Sequence, residues 1–374
     1  MKPPLFTVHP DITQAHTPPA ALYLDPAAYQ LVRERVFARS WQWLGRPADE
    51  PGLSAAGALA PLTLLPGLLD EPLLWARCEA GTLRLLSNVC THRGKLLVEA
   101  PCQAREIRCG YHSRRFALDG SLRFMPGFEG VRNFPAARDD LPVLDFGELG
   151  GHAFATLARG DAPPLQPLAE WLAPVAERLA FLPLHTWQFD PARSRDYSFD
   201  AHWALYVENY LEGLHIPFVH PALNSRLDMA QYRYECGPGT VLQVAEARAA
   251  DPGEATFDPP PCHPDHGRRI AAWYFFLFPN LMLNVYPWGL SVNRVLPLGP
   301  ARTCVQFRSY VADPALLGQG AGGALHTVEL EDEAAVLSVQ QGLRSRLYTP
   351  GRYAAQHEVG VHHFHRLLAQ ALGG

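Results

Sequence analysis

The sequence is poor in the features that mark several large classes of protein. Lysine occurs only at Lys2 and Lys95, although arginine is plentiful. The formal net charge is -5, and no basic block is long enough to follow a nucleic acid or an anionic membrane surface. No apolar run approaches the roughly 20 residues of a membrane-spanning helix. The opening segment MKPPLFTVHPD contains no apolar signal-peptide core. We therefore expect a cytoplasmic protein with neither nucleic acid nor membrane as partner.

Cysteine is also scarce, and its seven residues are scattered along the chain. An odd and irregularly spaced set argues against a disulfide framework in a reducing compartment. Two of the cysteines, Cys90 and Cys109, each stand close to a histidine. The other five are expected to be small buried residues rather than ligands. These five are Cys78, Cys102, Cys236, Cys262 and Cys304.

The length of 374 residues and the texture of the sequence predict an α+β protein of more than one domain. The stretch LDPAAYQLVRERVFARSWQWL predicts an opening helix capped by Asp25. Short apolar runs between turn residues then predict a small all-β domain at 46–155, in which Asp119-Gly120 marks a hairpin. We expect residues 1–45 to form a helical segment that packs on a second domain at 165–374.

Within the second domain, the pattern predicts helices at both ends and strands between them. A helix is expected at 168–180, followed by a pair of strands at HTWQFD and RDYSFD and by a helix that Asp200 opens. The long run IAAWYFFLFPNLMLNVYPWGLSVNRVLPL predicts several strands, and two helices close the chain.

Two short loops carry the first set of candidate ligands. CTHRGK places Cys90 and His92 in one loop, and CGYH places Cys109 and His112 in another. Zinc fingers usually pair cysteines with cysteines in one loop, whereas one thiolate and one imidazole per loop suit a two-iron cluster with unlike irons. Cys90 and Cys109 would bind one iron, and His92 and His112 the other. The alternative is two buried cysteines with incidental histidines.

These four positions resemble the motif of the Rieske proteins, in which Cys-x-His is followed after sixteen or seventeen residues by Cys-x-x-His. The resemblance implies a Rieske [2Fe-2S] cluster, whose reduction potential lies in the range of roughly −150 to +300 mV. Ser113 and Arg114 depart from the commoner Gly-Trp that follows the last histidine. This departure concerns packing and the partner surface rather than ligation.

The stretch VENYLEGLHIPFVH carries the second set of candidates. Glu208, Glu212 and His215 are spaced to share one face of a helix, and Pro217 would break that helix so that His215 and His220 can converge. Two histidines and one carboxylate form the facial triad of non-haem Fe(II) oxygenases. In the alternative interpretation, His215 packs in a core and His220 lies in a loop.

With the Rieske motif upstream, the chain resembles the α subunits of Rieske non-haem iron oxygenases, the aromatic-ring-hydroxylating dioxygenase family. Asn209, Glu212, His215 and His220 match the family pattern Asn-x-x-acid-x-x-His, four residues, His. The resemblance implies that His215 and His220 bind a mononuclear Fe(II), and that Asn209 and Glu212 serve catalysis.

The resemblance also implies a third ligand on a late helix, within VELEDEAAVLSVQQGLRSRLYTPGR. Asp332 is the expected ligand, and Glu331 and Glu333 are the competing candidates. Leu337 stands where family members often have a glutamate that supports the site. The histidines at 362–365 lack an acid in matching register and are interpreted as packing or interface residues.

The family implies a fold and an activity. The second domain is expected to be a helix-grip (START/Bet v1-like) catalytic domain, and the protein a terminal oxygenase that hydroxylates or oxidatively demethylates a small organic substrate with O2. Electrons would come from NAD(P)H through a separate flavin and iron–sulfur reductase, since no Gly-x-Gly-x-x-Gly follows a strand in this sequence.

The resemblance is nearest to the branch of choline, glycine betaine and carnitine monooxygenases. A quaternary ammonium substrate would be held by aromatic faces, although such residues can also simply line a core. The candidates are Tyr206, Tyr210, Tyr286 and Trp288. Two alternatives are an aromatic-ring-hydroxylating dioxygenase α subunit and, outside the enzymes, a Rieske-type electron carrier.

The family further implies a homotrimer in which electrons cross between subunits. The cluster and the iron of one family subunit are too far apart for useful electron transfer. Glu212 is therefore expected to connect His215 to His112 or His92 of a neighbouring copy.

Overall fold

The computed structural model describes residues 5–160, 162–248 and 254–373, which form two compact units. Trp41–Leu157 form one unit, and the segments on either side of it together form the other. Among the described residues, no helix combines the length and the apolarity needed to cross a bilayer.

The unit of residues 41–157 is built from short antiparallel strands, as the sequence predicted. Its strands form a five-stranded sheet of order β5-β2-β3-β4-β9 and two three-stranded sheets, β1-β11-β10 and β6-β7-β8. The strands are β1 Gln42–Trp43, β2 Ala58–Leu64, β3 Glu71–Arg77, β4 Leu83–Ser87, β5 Cys102–Gln103, β6 Ile107–Arg108, β7 Arg115–Phe116, β8 Leu122–Phe124, β9 Val143–Leu144, β10 Phe146–Leu149 and β11 His152–Ala155.

The predicted hairpin at Asp119-Gly120 joins β7 to β8. The Asp119 carboxylate accepts hydrogen bonds from the backbone N–H of Ser121 at 2.9 Å and from its hydroxyl at 2.7 Å. Gly120 has a φ of +92°, and a Cβ there would lie 3.1 Å from the carbonyl oxygen of Leu141. Only glycine therefore suits this turn.

The flanking unit contains all the α-helices of the described chain. The helices are α1 Ala21–Leu24, α2 Pro26–Arg35, α3 Leu168–Arg178, α4 Trp203–Tyr210, α5 Ile216–Val219, α6 Pro221–Asn224, α7 Leu325–Gly342 and α8 Val359–Leu372. Asp25 caps α2 as predicted, because its side chain accepts a hydrogen bond from the N–H of Ala27 at 2.8 Å. The two predicted closing helices are α7 and α8.

One antiparallel sheet of seven strands organises this unit, in the order β12-β18-β17-β16-β15-β14-β13. The strands are β12 Gln188–Phe199, β13 Arg233–Gly237, β14 Thr240–Glu246, β15 Ile270–Leu277, β16 Leu281–Tyr286, β17 Gly289–Gly299 and β18 Arg302–Val311. The central strands β15 and β16 are buried along their whole length. Helix α4 contacts α7, α8 and β17, and α8 contacts β13, so helices pack on the sheet as the helix-grip fold requires.

Several local expectations were wrong. HTWQFD and RDYSFD belong to one long strand, β12, whose register against β18 shifts between Asp190 and Arg195, so the apparent break between two strands is an irregularity within one. Helix α4 is capped by His202 rather than opened by Asp200. Cys102, Cys236 and Cys262 are exposed rather than buried. Cys102 lies on β5, Cys236 on β13 and Cys262 in a loop, at positions where the rest of the chain leaves the side chain accessible to solvent.

Candidate active site

The segment after α4 differs from the prediction, in which one helix carries Glu208, Glu212 and His215 and is disturbed only at Pro217. Helix α4 ends at Tyr210, so Glu212 and His215 do not share a helical face with Glu208. The nitrogen of Pro217 cannot donate to the carbonyl of Gly213, and a helix could not pass through this point unbroken. The chain instead turns and restarts as the short helix α5, with His215 at its N-cap and Pro217 in its first turn.

The restart brings the two histidines together. His215 precedes α5 and His220 lies between α5 and α6, and their ring centroids are 5.0 Å apart with the planes at 80°. His220 is almost fully buried, whereas His215 retains some exposure. As the sequence predicted, the break in the helix near Pro217 lets two imidazoles that are five residues apart face one point.

Asp332 of α7 completes this group from a distant part of the chain. Its Oδ1 lies 2.9 Å from Nε2 of His220 and 3.5 Å from Nε2 of His215. One donor atom from each of the three residues lies within 4.8 Å of the others, and no further group of three such residues converges in the described ranges. Two imidazole nitrogens and a carboxylate oxygen aimed at one point fit a mononuclear iron.

Each histidine has its other ring nitrogen held by a second carboxylate. Nδ1 of His215 is 2.6 Å from Oε1 of Glu212, and Nδ1 of His220 is 2.6 Å from Oε2 of Glu331. Carboxylates in this position orient a ligand imidazole and set its tautomer. Glu331, which competes with Asp332 as a ligand on sequence, thus lies on the far side of the His220 ring.

The electrostatics of the histidine pair follow from these carboxylates. Burial lowers the pKa of His220, but its hydrogen bonds to Asp332 and Glu331 outweigh burial, and the net shift is upward. Glu333, the third acidic candidate on α7, is not part of the converging group, and burial raises its pKa.

A cavity opens beside the histidines. The space in which the centre of a water molecule can lie is about 90 Å³, several times the roughly 10–15 Å³ that one water needs. Its walls come from α4, the segment of α5 and α6, the start of α7 and five strands of the sheet. The lining residues are Tyr206, Asn209, Tyr210, Glu212, His215, Ile216, His220, Leu223, Tyr232, Gln243, Tyr274, Asn284, Tyr286, Asn293, Phe307, Ala321, Leu325, Val328, Glu329 and Asp332.

Three of the four aromatic candidates line this cavity, namely Tyr206, Tyr210 and Tyr286. Trp288 does not. Its ring stacks on that of Tyr286, with centroids 5.3 Å apart and planes at 16°. It therefore supports the cavity wall from behind. Asn209, the remaining residue predicted for catalysis, lies in the lining at the end of α4.

The sheet contributes polar residues that the sequence interpretation missed. Gln243, Tyr274 and Asn284 are register partners across β14, β15 and β16, so their side chains point to one face. The hydroxyl of Tyr210 donates to Oδ1 of Asn284 at 2.7 Å. Period-two alternation within IAAWYFFL could have suggested Tyr274, but the neighbouring strands could not be aligned without the tertiary structure.

Glu329 is the most unusual of the missed residues. It is 2% exposed, and its Oε2 accepts a hydrogen bond from the hydroxyl of Tyr206 at 2.6 Å. Its Oε1 is buried and has no hydrogen-bond partner among the described residues. Burial raises the pKa of Glu329 to about 8. The spacing of three residues before Asp332 on a helix was a usable signal, because it places both acids on one face.

The four predicted cluster ligands also come together, in the unit of residues 41–157. The thiols of Cys90 and Cys109 are buried and in hydrogen-bond contact, and the rings of His92 and His112 have centroids 4.8 Å apart. Nδ1 of His92 is buried without a hydrogen-bond partner among the described residues, as expected of a nitrogen that binds iron. Two thiols and two imidazoles in this arrangement fit a Rieske cluster.

The loop around the second pair shapes the surroundings of one sulfur. Burial raises the pKa of the Cys109 thiol, but the backbone hydrogen bonds from Tyr111 and His112, the contact with Cys90 and the charge of Lys95 together lower it. Ser113 has a φ of +58°. Arg114 is buried and donates to the Asp139 carboxylate at 3.0 Å. The unusual Ser113-Arg114 pair is thus part of the packing beneath the loop.

The histidines near the C-terminus make hydrogen bonds inside their own unit. Nε2 of His362 lies 2.8 Å from the carbonyl oxygen of His9, and Nε2 of His363 lies 2.9 Å from that of Gly237. Nδ1 of His365 lies 2.7 Å from the hydroxyl of Tyr353. These contacts agree with a role in packing.

Two family models match the chain. Residues 65–135 match the Rieske [2Fe-2S] domain, and residues 184–374 match the ring hydroxylating alpha subunit (catalytic domain). The two matches fall on the segments that carry the two sets of candidate ligands.

Known proteins are similar over almost the whole chain. Choline monooxygenase of Arabidopsis thaliana is 31% identical over 96% of this chain and 83% of its own length. The carnitine monooxygenase oxygenase subunit of Escherichia coli K12 is 28% identical over 98% of this chain and 96% of its own.

Solved structures share the fold. A quaternary ammonium Rieske monooxygenase in complex with an inhibitor has a TM-score of 0.76 at 22% identity, covering 98% of this chain and 99% of that one. Naphthalene 1,2-dioxygenase from Rhodococcus sp. bound to indole has a TM-score of 0.68 at 18% identity, covering 95% and 94%.

Proposed function

The chain belongs to the family of Rieske ring-hydroxylating oxygenase α subunits, and from this premise we propose that it hydroxylates or oxidatively demethylates a small quaternary ammonium compound. The family consists of oxidoreductases that hold a Rieske cluster and a mononuclear iron and receive electrons from a separate reductase. The observation that carries the substrate proposal is the cavity beside the histidines. It is lined by tyrosines and acids, and none of its described lining residues is lysine or arginine.

The proposed ligands divide between two sites. Cys90, His92, Cys109 and His112 hold the cluster, as their convergence and the orphaned Nδ1 of His92 support. His215, His220 and Asp332 hold the iron through atoms that already lie close together. When bound, the cluster supplies electrons and the iron binds and activates O2.

The surrounding residues of the chain prepare the iron site. Glu212 and Glu331 hold the proton of His215 and of His220 on Nδ1, which leaves each Nε2 lone pair directed at the side of Asp332. Burial raises the pKa of Tyr206 and of Tyr210, so both hydroxyls stay protonated and act as donors in the cavity. Asn209 lines the same cavity, where its amide can hold a polar group of the substrate.

The substrate class is favoured by chemistry and by similarity together. Aromatic faces attract a trimethylammonium group by about 0.5–2 kcal/mol per contact, and the acids of the cavity add to that attraction. Choline monooxygenase and the carnitine monooxygenase oxygenase subunit are relatives over nearly the full chain. The fold is shared with naphthalene 1,2-dioxygenase as well, so fold alone does not select the substrate.

Assembly and location complete the proposal. The working unit is a homotrimer in the cytoplasm, in which Glu212 connects His215 to a cluster histidine of a neighbouring copy. Within the chain, both oxygens of Glu212 contact His215, one at Nδ1 and one at the backbone N–H at 3.0 Å. Such a carboxylate is already held in place beside the ligand that it would connect.

The test is a substrate screen with purified protein, a surrogate reductase and NAD(P)H, reading O2 uptake together with product mass. Choline, glycine betaine and L-carnitine should stimulate product formation more than benzoate or naphthalene. Iron analysis should find one mononuclear iron in addition to the two of the cluster. A clear preference for the aromatic compounds would refute the proposed substrate class, and a content of cluster iron alone would indicate an electron carrier.

A further inference from the structure

Glu329 is a buried acid that the proposed iron site does not use. It lies on α7 one turn before Asp332 and lines the cavity, but it is not part of the converging ligand group. Its Oε2 is occupied by the hydroxyl of Tyr206, while its Oε1 has no partner among the described residues. A buried carboxylate oxygen without a donor costs free energy, so its presence calls for a partner that the folded chain does not itself supply.

The other acids of the cavity have partners. Glu212 is held by His215, and Asp332 lies against both proposed ligand histidines. None of the described lining residues is lysine or arginine, and the two histidines of the lining contact Glu212, Glu331 and Asp332 rather than Glu329. An opposite charge that enters the cavity would therefore find Glu329 as its available counter-ion.

The remaining polar groups of the cavity are neutral. The amides of Asn209, Asn284 and Asn293 and the tyrosine hydroxyls can form hydrogen bonds with a substrate hydroxyl. They carry no charge that could offset a carboxylate. Unless it reached the iron that Asp332 would help to hold, the carboxylate end of a ligand would lie close to the acid of Glu329, which is unfavourable at low local dielectric.

We propose that Glu329 is the residue that recognises the positive charge of the substrate, and that the cavity selects cationic amino alcohols of the choline type over zwitterions that carry a carboxylate. This inference rests on the proposed function. The tyrosine faces hold the methyl groups of the cation, and Oε1 of Glu329 supplies the opposite charge.

The raised pKa of Glu329 means that much of its carboxyl is protonated in the empty cavity at neutral pH. Burial raises its pKa to about 8, and the nearby Asp332 and Glu333 on the same helix add to the upward shift, against the hydrogen bond from Tyr206 on α4. From the sheet, Tyr197 on β12 also faces Glu329. A bound cation favours the ionised carboxylate, so binding releases a proton from the fraction of Glu329 that holds one.

The alternative is that Glu329 only anchors Tyr206. Glu329→Gln separates the two roles, because glutamine keeps the shape and an oxygen that accepts from Tyr206 but removes the negative charge. Tyr206→Phe is the reverse variant, which removes the hydrogen bond and keeps the acid. Glu333→Gln is the matched control, since it neutralises a partly buried acid of the same helix that does not line the cavity.

The experiment measures equilibrium binding by calorimetry, without oxygen or reductant, to protein loaded with cluster and iron. The probes are choline, its uncharged isostere 3,3-dimethylbutan-1-ol, and L-carnitine. The unmodified protein should bind choline more tightly than either of the others by about tenfold or more. Glu329→Gln should lose about tenfold in affinity for choline, with little change in affinity for the isostere. Tyr206→Phe and Glu333→Gln should still bind choline more tightly than the isostere.

The outcomes separate this inference from the proposed function. If Glu329→Gln binds choline as the unmodified protein does, Glu329 is not the counter-ion, although choline can still be a substrate. If L-carnitine binds as tightly as choline, its carboxylate reaches a cation, such as Arg195 in the neighbouring cavity, and the proposed selectivity is wrong. If naphthalene or benzoate binds and no quaternary ammonium compound does, the proposed function itself fails.

Should Glu329→Gln fail to fold or to hold iron, Glu329→Asp provides the second measurement. The shorter acid keeps the charge, so choline should remain preferred over its isostere by the same method. Loss of that preference in a folded, iron-loaded Glu329→Asp protein would contradict the proposal.

Discussion

At the scale of single residues, the candidate iron site depends on which of three consecutive acids faces the histidines. Asp332 lies between the two Nε2 atoms, Glu331 contacts the opposite nitrogen of His220, and Glu333 does not join the group. Successive residues of a helix are 100° apart, so one step in register changes a metal ligand into a supporting residue.

This arrangement predicts different losses for two neighbouring substitutions. Asp332→Ala should retain the cluster and lose the mononuclear iron, because it removes the only carboxylate oxygen that faces both Nε2 atoms among the described residues. Glu331→Gln should keep that iron but bind it more weakly by about 10–100-fold, as expected for a partner of a ligand histidine. Iron content is measured after dialysis against graded chelator concentrations. Loss of iron in Glu331→Gln together with retention in Asp332→Ala would show that the ligand assignment is wrong by one residue.

A second prediction at this scale concerns His202, the capping residue of α4. Its Nδ1 accepts from the N–H of Ala204 at 3.3 Å, and burial lowers the pKa of His202 to about 3. Below the unfolded pKa of about 6.5, the unfolded chain takes up a proton that the folded protein refuses. Stability is therefore present above that pH and falls by about 1.4 kcal/mol per pH unit as pH decreases toward 3.

The variant His202→Asn keeps a capping side chain and removes this titration. The free energy of unfolding, measured by urea titration between about pH 6 and pH 4, should then fall less steeply by about 1.4 kcal/mol per pH unit. The carboxylates contribute equally to both proteins and cancel in the comparison. Parallel curves for the two proteins would contradict the assignment of a buried neutral imidazole.

At the scale of elements, the breaks in regular structure build the site. The interruption between α4 and α5 allows His215 and His220 to converge. A second irregular stretch, the glycine-rich segment 318–323, packs against Tyr286 of the cavity wall and against Trp288, which stacks on it. A Cβ on Gly322 would lie 2.3 Å from Nε1 of Trp288 and 2.8 Å from the ring of Tyr286. Only glycine allows the segment to approach the stacked rings so closely.

Gly322→Ala should therefore displace either the segment or the two rings. We expect a loss of about 1–3 kcal/mol in the free energy of unfolding, as for an overpacked core, and weaker binding of choline. Gly342→Ala is the matched control, because a Cβ at Gly342 meets no atom within 4 Å and the residue lies at the end of α7. Urea titration and calorimetry measure the two effects. Unchanged stability and affinity in Gly322→Ala would show that the segment moves freely away from the rings.

At the scale of the whole molecule, the proposed trimer makes electron transfer a property of the assembly. We expect Glu212→Gln to keep both metal centres and a reducible cluster and yet to form little product, because the amide is a poorer acceptor for the Nδ1 proton of His215. Optical and EPR spectra report the cluster, iron analysis reports the mononuclear site, and product yield per electron reports the coupling. Normal turnover in Glu212→Gln would contradict the role.

Mixed oligomers test the same proposal directly. A chain with Cys109→Ser lacks a working cluster, and a chain with His215→Ala lacks the iron site. Co-expressed and isolated as mixed oligomers, the two should recover turnover that neither has alone, because an intact cluster of one chain then meets an intact iron site of another. Mixed oligomers that are folded and carry the expected metals but remain inactive would rule out transfer between subunits.

The sequence by itself determined the features that depend on local spacing. The two Cys-His loops, the Asp25 cap and the Asp119-Gly120 turn follow from residues a few positions apart, whose geometry the local backbone restricts. The start of a new helix near His215 belongs here as well, because Pro217 suits the first turn of a helix and not its interior. The same local interpretation failed at Asp200 and Glu212, because His202 caps α4 and the helix already ends at Tyr210.

Only the tertiary structure decided which distant residues meet. The register of β14, β15 and β16 placed Gln243, Tyr274 and Asn284 on one face, and the packing of α7 on α4 directed Glu329 at Tyr206. These contacts join residues on different strands and helices, from ten positions apart for Tyr274 and Asn284 to 123 for Tyr206 and Glu329. Their geometry comes from burying a whole sheet and its helices together, which no short stretch of sequence can specify. For the same reason the candidate ligands, which lie in recognisable local motifs, could be predicted, whereas Glu329, whose place in the cavity depends on packing, could not.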